Sequence, residues 1–83
     1  MKVAIRYFAS VREALGSGET FELASGTTVA AVRDALLARD AAHAAVLNRS
    51  RAIRSALNQV LCSESEVVGD GAEIGFFPPV TGG

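Results

Sequence analysis

The residues best placed to do chemistry stand at the end of the chain, in Phe76-Phe77-Pro78-Pro79-Val80-Thr81-Gly82-Gly83. Phe76 and Phe77 can close a strand. Pro78 and Pro79 have no N–H to donate to a sheet ladder and favour an extended, stiff backbone. Gly82 and Gly83 carry no Cβ, so the last residues are expected to be a thin, mobile tip with a free carboxylate. Such an arm can enter a tunnel in another protein. The competing reading is a frayed terminus, since chain ends are commonly disordered. The apolar-to-rigid step just before the glycines argues against it.

Other reactive side chains are few. Cys62 sits in an apolar strand without a basic neighbour or a CxxC partner, which is the setting of a structural thiol. His43, the only histidine, falls in an alanine-rich loop with no nearby acid–base partner and is not expected to be catalytic. One cysteine and one histidine exclude an internal disulfide framework and argue against an all-protein zinc site. No Ser-His-Asp, Cys-His or paired-carboxylate arrangement is visible, and no phosphate-binding loop. No bound cofactor or metal is expected.

The chain has 83 residues, 49% of them hydrophobic, enough for one small domain with a modest core. No apolar run approaches a membrane span, and the N-terminus lacks the pattern of a signal peptide. The expected setting is the cytoplasm. A net charge of −1 gives no general attraction to nucleic acid or anionic membrane. Charge is uneven, however. Arg49, Arg51 and Arg54 form a basic stretch, and Glu64, Glu66, Asp70 and Glu73 follow Cys62. This hints at a charged docking face, or at an ordinary solvated surface.

The elements that must position the tail follow from periodicity. Val3, Ile5 and Tyr7 alternate with polar or small residues as the core set of a first strand. Phe8 then falls on the opposite side or at the strand's end, either as a partner contact or covered by the next helix. Ser10-Val11-Arg12-Glu13 fits a capping box, and Val11, Ala14 and Leu15 supply an apolar stripe that Gly16 and Gly18 end. Glu19 to Ala24 alternates again, with Phe21 and Leu23 inward. Thr27 or Thr28 should cap the main helix, over about Val29 to Arg39. Val29, Val32 and Leu36 mark its buried stripe, with Ala35 and Leu37 beside it and Arg33 and Asp34 facing water. His43 to Leu47 can add a further helical turn. Asn48 to Ser55 reads as a surface loop anchored by Ile53. Ala56 to Cys62 reads as two short strands about an Asn58-Gln59 bend, whose turn type is open because no glycine follows Asn58. Gly69-Asp70-Gly71 is a turn, and Ala72 to Phe77 is the last strand, with Ile74 and Phe76 on one side and Glu73, Gly75 and Phe77 on the other.

This order predicts an α+β fold, a mixed sheet packed against one main helix with the first and last strands adjacent and parallel in its middle. That is the β-grasp, or ubiquitin-like, arrangement. It would occupy residues 1–77, with an extended tail over 78–83.

Tyr7-Phe8-Ala9-Ser10-Val11-Arg12-Glu13, Ala56-Leu57-Asn58-Gln59 and the closing Gly69-Asp70-Gly71-Ala72-Glu73-Ile74 with Phe76 to Gly83 resemble the small-subunit family of molybdopterin synthase, the MoaD family, among the ubiquitin-like sulfur carrier proteins. The resemblance spans the chain. It departs most between Ala41 and Arg54. It implies that an E1-like, ATP-dependent adenylyltransferase converts the Gly83 carboxylate to an acyl-adenylate and that sulfur then gives a thiocarboxylate. The large synthase subunit would receive this tail, and the sulfur would pass to a cyclic pyranopterin phosphate to build the molybdopterin dithiolene. Gly83 would bear the sulfur, with Gly82 its slender support. The chain would be no enzyme on its own. Phe8, Leu61 and Phe77 would dock the partner as an apolar patch with arginines at its rim, together with Pro78, Pro79, Val80 and Thr81. Other readings are a carrier for another pathway such as thiamin synthesis, a ubiquitin-like modifier of lysines, or a β-grasp binding module without chemistry.

Overall fold

In the computed structural model, residues 1–79 are described; Val80, Thr81, Gly82 and Gly83 lie outside them. Alternation at the N-terminus produces β1 (Lys2–Tyr7), with Val3, Ile5 and Tyr7 buried. β5 (Glu73–Phe77) pairs parallel to it, Ile5 opposite Ile74 and Tyr7 opposite Phe76. β2 (Gly18–Glu22) pairs antiparallel to the free side of β1. β3 (Arg54–Leu57) and β4 (Val60–Cys62) extend the sheet beyond β5, so the order is β2-β1-β5-β3-β4. On one face lie α1 (Ala9–Leu15), α2 (Val29–Leu37) and α3 (Ala41–Leu47). Val11, Val29, Val32, Leu36 and Leu47 from these helices enclose Val3, Ile5, Ile74 and Phe76 in one core. The expected β-grasp arrangement is therefore present. No helix among the described residues is long and apolar enough to cross a membrane.

Several local expectations are corrected. The capping box at Ser10 does not form. The Phe8 N–H donates to the Phe76 carbonyl at 3.1 Å, which carries the parallel ladder one residue past β1. The Phe8 carbonyl then accepts from the N–H groups of Val11 and Arg12, so Phe8 is the N-cap and Ser10 lies inside the first turn. Ala9, at φ +53°, turns the chain from strand to helix in a single residue. Ala14 and Ala35 are exposed, because the short α1 and the narrow face of α2 bury only their larger residues. Thr28 caps α2, its hydroxyl accepting from Ala31 N–H at 3.2 Å. The alanine-rich segment around His43 is helical from Ala41, capped by Asp40.

Arg33 does not face water; it is 3% exposed. It follows Val29 by four residues and precedes Leu36 by three, so helical geometry puts it on the buried stripe. Its Nε donates to Leu47 O at 2.7 Å, Nη2 to Asn48 O at 2.7 Å and Arg51 O at 3.0 Å, and Nη1 to Glu64 Oε2 at 2.8 Å. Leu47 and Asn48 end α3, where carbonyls lack intrahelical donors. A guanidinium can satisfy several at once, since it carries five N–H groups in a fixed fork. Arg49 adds an outer clamp to Asp34 and Glu64, which removes it from any free basic face.

Arg33→Met keeps the side-chain bulk but leaves these carbonyls and Glu64 without their donor. Urea denaturation should show a loss of about 3 kcal/mol, whereas Arg51→Ala, at an exposed position, should stay within about 0.5 kcal/mol of the parent. Equal midpoints for the parent and R33M would show that the guanidinium does not hold the loop.

Candidate functional site

The face of the sheet opposite the helices carries the site. Because side chains alternate along β5, burial of Ile74 and Phe76 turns Glu73, Gly75 and Phe77 outward. The registers align Arg6, Gly75, Ala56 and Leu61 in a row across four strands. The two small residues in the middle of that row leave a depression. Phe8 and Phe77 rise beside it, their rings edge to face with centroids 6.5 Å apart. Leu61, 70% exposed, stands at the other side. The result is an apolar groove of about 510 Å³, floored by Gly75 and Ala56, with Pro78 lining it where the tail departs.

The lack of a side chain at Gly75 lets the Phe8 ring approach closely. A Cβ on Gly75 would lie 3.0 Å from Phe8 Cε2, so the Phe8 ring occupies the space that a side chain would take. Arg6 closes the rim, its guanidinium carbon 5.8 Å from the Phe8 ring centroid and its Nη1 3.4 Å from Glu73 Oε1. The hairpin that delivers Leu61 turns through Asn58 and Gln59, at φ +51° and +69°. These positive values are those of a type I′ turn, which matches strand twist. Asn58 supports it by accepting from Glu73 N–H at 2.9 Å through its side chain, and its own N–H donates to Glu73 O at 2.7 Å.

Of the predicted docking residues, the structure brings Phe8, Leu61, Phe77 and Pro78 together; Phe8 is 41% exposed. Pro79 is half-buried and is not among the groove-lining residues. Val80, Thr81, Gly82 and Gly83 lie outside the described residues. Sequence reasoning missed Gly75, Ala56, Gln59 and Ala9, which also line the groove. The signal was present at Gly75 and Ala56, small residues inside strands, where larger side chains usually pack. Cys62 is half-buried and packs against the core, as a structural thiol would.

His43 is not solitary: sequence reasoning missed Asp40, three residues earlier, as a partner, and Glu19 is brought to it from a distant strand. Its Nε2 lies 2.9 Å from Glu19 Oε2 and its Nδ1 2.7 Å from Asp40 Oδ1. Tyr7 donates its hydroxyl to the same Glu19 oxygen at 2.7 Å, and Arg39 pairs with the other one. Burial opposes charge on the imidazole, but the hydrogen bonds to Glu19 and Asp40 outweigh it and raise its pKa above the ordinary value. Burial also opposes charge on Glu19, yet donors from His43, Tyr7 and Arg39 hold its carboxyl below the usual range. Burial and the Glu19 hydrogen bond push the Tyr7 hydroxyl far up. The cluster is mutually satisfied and ties β1, β2 and the start of α3 together. Among the described residues, no group of three or more His, Cys, Asp or Glu side chains is placed to hold a metal ion.

This cluster sets a pH dependence. A raised folded-state pKa makes charged His43 stabilising below its ordinary value of 6.5, and that contribution is lost as pH rises through the folded value. Lowered values at Glu19 and Asp40 act oppositely, stabilising at neutral pH and failing in acid. The melting temperature should therefore decline above about pH 6.5, and His43→Gln should flatten that decline. Thermal melts across mildly acidic to mildly alkaline pH check this; superimposable profiles would refute it.

Residues 5–83 match the ThiS family. The chain is 38% identical over 81 residues to the molybdopterin synthase sulfur carrier subunit of Escherichia coli, covering 98% of this chain and 99% of that protein. It is 34% identical to the protein of the same name from Mycobacterium tuberculosis, over 100% of this chain and 99% of that one. Among solved structures it is similar to small archaeal modifier protein 1 of H. volcanii, with a TM-score of 0.77 and 26% identity over 95% of this chain and 98% of that one.

Proposed function

From its membership of the ThiS family, to which this chain belongs, we propose that the protein is the sulfur carrier subunit of molybdopterin synthase. The observation that carries the proposal is the nearly full-length similarity to proteins named molybdopterin synthase sulfur carrier subunit, at 38% and 34% identity. The family match, which runs through the glycine pair to residue 83, supports it.

The Gly83 carboxylate is a poor electrophile. An E1-like adenylyltransferase uses ATP to convert it to an acyl-adenylate, whose AMP is a good leaving group. Sulfur attacks the carbonyl, AMP departs, and the product is a thiocarboxylate with a soft anionic nucleophile. Absent side chains at Gly82 and Gly83 leave that carbonyl open and let the tail lie in a narrow channel. Pro78-Pro79-Val80-Thr81 acts as the spacer. The large synthase subunit covers the groove of Phe8, Leu61 and Phe77, receives the tail, and supplies the electrostatic groups that transfer sulfur to the cyclic pyranopterin phosphate. This subunit is a donor and the catalytic pocket is the partner's. A cytoplasmic setting agrees with a single cysteine and no disulfide framework.

Likeness to a modifier protein favours a second reading, conjugation of Gly83 to lysine amines. The two readings share activation and differ in the nucleophile. With its activating enzyme, ATP and a sulfide source, the chain should exchange one terminal oxygen for sulfur, seen by intact mass spectrometry and mapped to Gly83. Sulfur on Cys62 with Gly83 unchanged, or isopeptides to other proteins in place of the thiocarboxylate, would overturn the carrier assignment.

The groove makes its own prediction. Phe77→Ala and Phe8→Ala each remove a wall of it without touching the buried core. Affinity for the large subunit should fall by roughly thirtyfold, on the order of 2 kcal/mol for an aromatic hot spot, while the melting curve of the isolated chain stays cooperative. Calorimetry of the pair reads the first and a thermal melt the second. Unchanged affinity would assign the groove no part in docking.

A further inference from the structure

A left-handed backbone is unfavourable for any residue that carries a Cβ, and glycine is its usual occupant. The chain follows that rule at Gly16, Gly26 and Gly71, at φ +91°, +82° and +77°. A Cβ at each of these would meet nothing within 4 Å, so glycine stands there for its backbone and not for want of space. Among the described residues the rule is broken at Ala9, Asn58 and Gln59, at φ +53°, +51° and +69°.

These exceptions gather at one place. Ala9, beyond the end of β1, and Gln59, in the β3–β4 turn, both line the groove, whereas Gly16, Gly26 and Gly71 do not. Asn58 is compensated within the domain: asparagine tolerates this backbone, and its side chain accepts from Glu73 N–H at 2.9 Å. Ala9 and Gln59 are exposed, and neither belongs to the core. Gln59 holds the second turn position, where a type I′ hairpin favours glycine. Ala9 gains nothing from the helix propensity of alanine, because a positive φ is not helical backbone. Glycine would serve the fold as well or better at both positions. Side chains held in such a backbone concentrate where function needs them.

We infer that Ala9 and Gln59 are specificity contacts for the docked large subunit: the chain keeps a methyl and an amide at the groove, in a backbone that favours glycine, because the partner reads them. The inference rests on the proposed docking of that subunit in the groove. It also describes the surface that fits. The partner presents apolar atoms to Phe8, Phe77, Leu61 and the Ala9 methyl, and a polar group within reach of the Gln59 amide, which both donates and accepts. A protein lacking that group would leave the amide desolvated and unpaired, and so be discriminated against.

The test compares the full-length parent with Ala9→Gly, Gln59→Gly and A9G/Q59G. Ala35→Gly is the reference, at an exposed position inside α2 on the helix side of the sheet. Thermal melts of the isolated chains read the fold, and calorimetry against the large subunit reads docking. Glycine at the two left-handed positions should leave the melting temperature at the parent's value or raise it, by up to about 5 °C. Affinity should nevertheless fall, about fourfold for the lost methyl, about fivefold for the lost amide and roughly twentyfold for the pair. Ala35→Gly should do the reverse, melting about 4 °C lower and binding as the parent does. A lower melting temperature for A9G or Q59G would assign these side chains to the fold and overturn the inference. Parent-like affinity in the double variant would overturn it alone, whereas failure of the parent itself to bind would overturn the proposed docking together with it.

Discussion

The parallel pairing of β1 with β5 is the contact on which the rest of the molecule depends. It joins segments from opposite ends of the chain, so it closes the longest loop of any strand pair and must offset the largest loop-closure entropy. The offset comes from apolar burial. Val3, Ile5 and Tyr7 meet Ile74 and Phe76 on one face, and α1, α2 and α3 cover them. Each such side chain is worth roughly 1.5–3 kcal/mol when fully buried. The same pairing extends one bond further, from Phe8 N–H to Phe76 O, and that bond places Phe8 beside Phe77 on the opposite face. One ladder therefore fixes both the core and the wall of the groove.

The two faces of the sheet are under different constraints. The inner face is filled by large branched and aromatic residues, where a change of one methylene is felt. The outer face carries Gly75 and Ala56 at its centre, and their small size is what makes a groove of it. Those positions contribute little packing energy to the domain. A docking surface can thus be shaped there without disturbing what holds the fold together, and the tail leaves directly from its edge at Pro78.

Two polar networks fasten the segments that the apolar core does not reach. Arg33 takes up the carbonyls at the end of α3 and reaches Glu64, which organises the loop that leads into β3. Glu19 gathers Tyr7, Arg39 and His43 and holds β2 to the start of α3. In both, a buried or half-buried polar group is satisfied several times over, as it must be where water is excluded. The end of α3 and the loop after it, through Leu47, Asn48 and Arg51, are ordered by the first of these networks.

The amino-acid sequence by itself determined the strands, the main helix and the stop of the last strand at Phe77, because period-two and period-3.6 burial and the lack of N–H on Pro78 and Pro79 are local properties of residue types. It also carried the family resemblance through Gly82 and Gly83. Tertiary structure decided the matters that depend on partners distant in the chain. Ser10 loses the cap to Phe8 because a ladder bond from β5 sets where the strand stops. Arg33 goes inward, despite its charge, because the carbonyls that need it arrive from α3 and the following loop. Of the two partners of His43, Asp40 is local and only Glu19, 24 residues away, needed the fold to bring it there. Gly75 and Ala56 become the floor of a groove only when the registers of β1, β3, β4 and β5 align them between Phe8 and Leu61. Periodicity reports which way a side chain points; what it meets there depends on which strands and helices the fold sets beside it.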